Sequence, residues 1–191
     1  RRDFWPGTRL RRDSVTLGVA PRRTLECELR QPTNDGLAMP PTAPDSPTPE
    51  PLQIAVLTIS DSRTFANDRS GDALRDALEE SGHALCRREL VPDDIFQIRA
   101  VVSGWIADAE VDCILTTGGT GVTGRDGTPE AIEPLLVRRI DGFGELFRQY
   151  SLEEIGPSTI QSRAFAGVAN ATLVFGLPGS TGACRTAWNR I

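Results

Sequence analysis

Lysine is missing from this chain: all 21 basic residues are arginine. That removes a P-loop lysine, a Schiff-base lysine and a lysine general base from consideration. Histidine is nearly missing as well. His83 alone cannot build a two-histidine metal site or a histidine–carboxylate–metal triad. The four cysteines (Cys27, Cys86, Cys113, Cys184) lie far apart with no C-x-x-C pair, which predicts reduced thiols and a cytoplasmic protein. There is no long apolar run. The longest pieces are as short as Ile54-Ala-Val-Leu57, so no segment reads as a transmembrane helix. What is present is 191 residues, 39% hydrophobic and 25% charged, enough to bury a core without a disulfide or metal staple. Any chemistry must run on carboxylates, hydroxyls, arginines and backbone amides.

The beginning of the chain differs from the rest. Residues 1–38 carry eight arginines against five acids and no sustained apolar period. Three readings apply: a basic or disordered arm, a targeting peptide, or sequence upstream of a start at Met39, the only methionine. The absence of an apolar h-region argues against secretion, and the position of Met39 favours the third. Residues 40–51 hold six of the fourteen prolines, the composition of an extended linker. Residues 1–51 are therefore expected to be a disordered extension and linker, and 52–191 the folded domain. Removing the surplus of three positive charges in 1–38 from the net −5 leaves −8 on the remainder. So acidic a domain argues against nucleic acid as a partner. Ile191 falls inside a helical pattern, which suggests truncation there.

From Leu52 onward, strand and helix patterns alternate. Leu52–Thr58 and Val111–Thr116 read as buried strands, and residues 84–91 as another. Ser70–Gly82 reads as a helix with Ser70 as N-cap and Gly82 as its stop. Pro92-Asp-Asp opens a second helix, with Ile95, Ile98, Val102, Trp105 and Ile106 on one face. Thr128-Pro129-Glu130 opens a third, with Thr128 as cap. Arg163–Val168 and Thr172–Leu177 flank a short turn and read as an antiparallel hairpin. The alternation predicts a doubly wound α/β sheet with parallel central strands. Its ligands belong at the carboxyl ends of the strands.

Three polar stretches lie at such places: Thr58–Arg63, Thr116–Glu130 and Leu177–Thr181. The second holds glycines 118, 119, 121, 124 and 127 directly after a strand. Closely spaced glycines let backbone N–H groups turn toward an anion. Without lysine, phosphate charge must be met by amides, a helix dipole, arginine or a divalent cation. Asp126, between the glycines and Thr128, is placed to hold Mg²⁺ beside a phosphate. Each residue also has a plainer reading. Asp93 and Asp94 suit a helix start by charge alone, Ser180 suits a helix cap, and single glycines suit turns. Trp105, Phe96 and Cys113 read as packing residues, and His83 as structural or solvent-facing.

The combination of Thr116–Ala131, Gly142-Phe-Gly-Glu-Leu-Phe-Arg148 and Leu177-Pro-Gly-Ser180 resembles the MoaB/Mog family of molybdenum-cofactor biosynthesis, to which the G domains of gephyrin and the plant Cnx proteins also belong. Ser151–Gly156, Ser162-Arg-Ala164 and Ala183–Trp188 resemble its MoaB branch. The resemblance covers about Leu52 to Ile191. It implies a three-layer α/β fold assembled as trimers or hexamers, and no membrane or nucleic-acid partner. It further implies binding of molybdopterin and its adenylylation from MgATP with release of pyrophosphate. The family's catalytic and Mg²⁺-holding aspartates fall on Asp93 and Asp126. Its substrate-binding positions fall on Ser60 and Asp61, on Gly118, Gly119, Thr120 and Gly121, and on Gly179 and Ser180. A molybdopterin-binding but non-catalytic assembly protein is the alternative, and a structural trimer without ligand a third.

Overall fold

The computed structural model describes residues 50–191. The expectations for residues 1–38, the Met39 start and nearly all of the proline-rich linker lie outside the described residues. Six strands form one mixed sheet: β1 (Gln53–Ile59), β2 (Ala84–Val91), β3 (Cys113–Thr117), β4 (Arg138–Arg139), β5 (Phe165–Ala169) and β6 (Thr172–Leu177). Their order across the sheet is β2-β1-β3-β6-β5-β4. β1 pairs in parallel with β2 and β3, and β3 with β6. β5 runs antiparallel to both β6 and β4. The five helices are α1 (Arg69–Glu80), α2 (Ile95–Ala107), α3 (Thr128–Ile132), α4 (Asp141–Ile155) and α5 (Thr181–Arg190).

β1 explains the layering. Its residues are apolar on both faces, so both must be covered. Ile54 and Val56 pack with Leu74 and Leu78 of α1, Phe143 and Phe147 of α4, and Cys184 and Ala187 of α5. Ala55, Leu57 and Ile59 pack on the other face with Ile98, Val102 and Trp105 of α2 and Ile132 of α3. Each buried Leu or Ile contributes roughly 1.5–3 kcal/mol. The result is the expected three-layer, doubly wound fold. The crossovers from β1 lead to opposite faces, so β1 and β3 flank a topological switch point. The carboxyl ends of β1, β3 and β6 open together there.

Several local expectations shift. The cap of α1 is Asp68, whose carboxylate accepts from the Gly71 N–H at 3.0 Å; Ser70 lies inside the first turn instead. A carboxylate two residues earlier outcompetes the hydroxyl because it also meets Arg88 and Thr58 there. The far end of α1 is a Schellman motif at Gly82, with Gly82 N–H to Glu79 O and His83 N–H to Leu78 O. Thr128 is the first residue of α3 and not its cap; Gly127 occupies the cap position. Thr128 spends its hydroxyl on Gly118 O at 2.8 Å. Phe96 is 76% exposed and packs into no core, because it lies on the solvent side of α2. The hairpin turn is two residues, Asn170 and Ala171, with φ of 51° and 67°, as a type I′ turn requires. Helix α4 and the two-residue β4 escaped the sequence reading. No described helix is long and apolar enough to cross a membrane.

Candidate functional site

The glycine loop leaves β3 in a conformation that side chains would block. Gly118 has φ +114°, and a Cβ there would meet Ile59 O at 2.1 Å. Gly119 has φ +62°, and its Cβ would sit 2.5 Å from Asp93 Oδ2. The chain can therefore pass between β1 and Asp93 only as glycine. Not all four amides of 118–121 remain for a ligand. The Gly118 N–H donates to Leu177 O at 3.0 Å, and Gly121 lies hard against the Asp126 carboxylate, whose Oδ2 is 2.7 Å from where a Cβ would stand. The Gly119 and Thr120 N–H groups have no partner among the described residues. The cradle is narrower than the spacing suggested.

Asp61, Asp93 and Asp126 come together around this loop. Asp61 Oδ1 accepts from the Asp93 N–H at 3.2 Å, and its Oδ2 accepts from Arg125 at 2.5 Å. Asp93 Oδ1 accepts from the Gly127 N–H at 3.0 Å. Asp126 Oδ2 accepts from the Thr123 N–H at 2.8 Å and its hydroxyl at 2.6 Å. Burial and then the nearby charges of Asp126 and Asp61 push the Asp93 carboxyl above its ordinary value, against the hydrogen bond from Gly127. Burial acts the same way on Asp126, but the Thr123 and Gly121 hydrogen bonds and the Arg163 charge outweigh it and lower its pKa. Among the described residues no group of three or more Asp, Glu, His or Cys is arranged to hold a metal ion. The donor type suits a hard cation such as Mg²⁺: carboxylate oxygens of Asp93 and Asp126 would leave its remaining positions to phosphate and water.

The third stretch completes the opening. Gly179 O accepts from Arg63 Nη2 at 2.7 Å and from the Ser70 hydroxyl at 2.8 Å. Ser180 caps α5, its hydroxyl accepting from the Ala183 N–H at 3.1 Å. The other first-turn amides of α5 have no intrahelical partner. Ser60 Oγ accepts from the Ser62 and Arg63 N–H groups at 3.3 Å each. Together these loops line a cleft of about 660 Å³ that includes Ser60, Gly118–Gly121, Asp126, Gly179 and Ser180. Its opposite wall comes from Phe147, Ser151, Glu154 and Ile155 of α4. Arg63 is the arginine of its lining. Asp93 and Asp61 stand behind the loop and not in that lining. A second hollow of about 740 Å³, lined by Glu130, Glu133, Arg139 and Arg148 among others, holds motif residues such as Arg148 and Arg163 but none of the catalytic or substrate-binding positions named from sequence.

Three contributors were named only inside longer stretches and given no role of their own: Arg63 in Thr58–Arg63, Glu154 in Ser151–Gly156 and Arg163 in Ser162-Arg-Ala164. The Arg163 guanidinium grips the glycine loop from behind. Cys113 and Cys184 are buried, and burial pushes their thiols up to about 12 and about 11. Neither is a nucleophile at neutral pH. His83 accepts from the Leu52 N–H at 3.3 Å and lies edge-on to Trp188, a structural placement.

Comparison with known proteins bears on this geometry. Residues 55–191 match the family described as "Probable molybdopterin binding domain". Over 141 residues the chain is 54% identical to the molybdenum cofactor biosynthesis protein B of Escherichia coli K12, covering 74% of this chain and 83% of that one. A crystal structure of molybdenum cofactor biosynthesis protein B superposes with a TM-score of 0.73 at 45% identity, covering 75% of this chain and 90% of the other. The Mog protein of Mycobacterium ulcerans is more distant, at 30% identity and a TM-score of 0.65 over 72% of this chain and 88% of its own.

Proposed function

The chain belongs to the family of probable molybdopterin-binding domains, on its MoaB branch, and from that premise we propose that it serves molybdenum cofactor biosynthesis as a Mg²⁺-dependent molybdopterin adenylyltransferase. A terminal phosphate oxygen of molybdopterin forms a bond to the α-phosphorus of ATP. The bond from that phosphorus to the bridging oxygen of the β-phosphate breaks, and pyrophosphate leaves with the electron pair. The nucleophile is already an anion, so no general base is required. That suits a chain without lysine and with one histidine.

The difficulty lies in bringing two polyanions together. Two unit charges 4 Å apart repel by roughly 4 kcal/mol at the effective dielectric of a protein surface. Against that, the Gly119 and Thr120 amides and the first turn of α5 present N–H groups to the cleft, and Arg63 adds a positive charge at its wall. Asp93 and Asp126 would hold Mg²⁺, with Asp61 fixing the Asp93 backbone from behind. Bound there, the cation would neutralise charge on the phosphates and hold them in line. Phe147 and Ser151 of α4 offer the far end of the cleft a mixed apolar and polar wall for the pterin. Exposed Leu146, Leu152, Ile155 and Ile160 support the trimeric or hexameric assembly that the resemblance implies.

The observation that carries this reading is the meeting, around one loop, of free amides suited to an anion and of carboxylates from three segments suited to a cation. Purified chain given molybdopterin, ATP and Mg²⁺ should release pyrophosphate and yield a product heavier by one adenylyl group. Molybdopterin retained without pyrophosphate would leave only a binding role.

A further inference from the structure

Of the two acids assigned to Mg²⁺, Asp93 is held by a peptide N–H of the glycine loop: its Oδ1 accepts from Gly127 at 3.0 Å. A trans peptide carries its C=O and N–H on opposite sides of one rigid plane. Fixing the carbonyl therefore aims the amide. The carbonyl of the Asp126–Gly127 peptide accepts from Arg163 Nη2 at 2.6 Å. The carbonyl of the Thr120–Gly121 peptide accepts from the Arg163 backbone N–H at 3.0 Å. Arg163 Nε also donates to Gly121 O at 2.6 Å, and Nη1 is anchored by the Glu130 carboxylate. From these contacts we infer that Arg163 is a positioning residue: by holding loop carbonyls from behind, it turns the Gly127 amide onto Asp93.

The division of donors explains why arginine is needed. Its planar fork reaches two carbonyls and a carboxylate with separate N–H groups in fixed directions. A lysine ammonium is a single point that cannot span Gly121 O and Asp126 O in the same way. Arg163 itself lies on the β5 approach, away from the loop in sequence, so the register of β5 against β6 sets where the clamp stands. Glu130 belongs to α3, whose start is tied to the loop through Thr128. The loop is thus gripped from two elements of the scaffold while its cleft side stays open. This inference rests on the adenylyltransferase reading only for what Asp93 does.

Its test needs no substrate. Amide hydrogen exchange is measured by NMR on the full chain, wild type and Arg163→Lys, with Arg163→Gln as a second variant. The Gly127 amide should exchange about tenfold faster in both variants, while strand amides such as Val56 and Ile114 keep their protection. In turnover, kcat should fall while the KM for ATP changes little, since an acid and not the substrate amides is misplaced. Unchanged exchange at Gly127 overturns the inference. So does an acceleration spread evenly over the sheet, which marks general loosening. Neither result touches the adenylyltransferase reading, whereas a wild-type chain that never releases pyrophosphate removes that reading and leaves the clamp standing.

Discussion

Two groups of carboxylates stand near the same edge of the sheet, built from the same residue types, and they do opposite work. In the first, Asp68 is 0% exposed and each of its oxygens is taken by Gly71, Thr58 or Arg88. Arg88 also pairs with Asp72 at 2.9 Å, and Arg63 lies 3.7 Å from Asp68, so two acids face two arginines. In the second, Asp61, Asp93 and Asp126 face a single paired arginine, Arg125; Arg163 is engaged by Glu130 and by carbonyls. Charge closure makes the first group a strut. In the proposed reading, the surplus of negative charge in the second, beside amides without partners, suits it to a cation and a phosphate. Composition alone does not separate them; the balance of partners does.

The sharpest way to break the contrast is to cut the closed group. Asp68→Ala leaves Arg88 buried beside the gap, with its Nε already lacking a partner, and should cost about 3–5 kcal/mol of stability. A chemical-denaturation midpoint within error of wild type would show that the strut is idle. The converse substitution, Asp126→Ala, should lower pyrophosphate release on the order of 10²-fold while leaving molybdopterin retention and the denaturation midpoint nearly unchanged. Full turnover in that variant would remove Asp126 from the chemistry.

Acid titration sharpens the comparison further. Burial acts to raise the pKa of Asp68, but the Gly71 amide, Thr58 and Arg88 outweigh it, and the carboxyl is held below 3.8. A depressed folded-state pKa gives stability that is complete above the unfolded value and is lost as pH falls through the folded one. Asp68→Asn should therefore flatten the acid limb of stability against pH below about 4. An identical acid limb in that variant would assign the loss to other groups. The smallest effect is expected at the α5 cap. Ser180→Ala should cost about 1 kcal/mol, seen as a modest fall in melting temperature, and weaken phosphate-bearing ligands more than pterins lacking phosphate. An equal loss for both would make Ser180 a cap alone.

Much of this was legible before any coordinates, for reasons particular to each element. Apolar runs of β1 and β3 length declare strands buried on both faces, and the glycines after β3 declare a backbone that must pass close to something. Asp126 stands out by its place between the glycines and a helix start, whereas Asp93 reads by spacing as a helix-start acid and takes a role only from the family resemblance. Arg163 was illegible in this role because its partners are backbone carbonyls, which every residue possesses and no spacing reveals. Asp68 was overlooked for Ser70 because choosing between two adjacent caps depends on Arg88 and Thr58, both brought in by the sheet. The Gly118 amide looked available for the same reason: Leu177, which uses it, is a neighbour only after folding. Helix α4 was obscured by Gly142 and Gly144 near its start, and Gly144 is explained by the close approach of Ala164 O, 2.6 Å from where a Cβ would lie.

In the proposed reading, the free amides of the glycine loop and the carboxylates around it grip a phosphate through magnesium. Calorimetric titration of ATP into the full chain, with Mg²⁺ and again with a chelator, tests this directly. Binding with Mg²⁺ should disappear on chelation and in the Asp93→Ala, Asp126→Ala double variant. ATP bound equally well without the cation, or by the double variant, would contradict it.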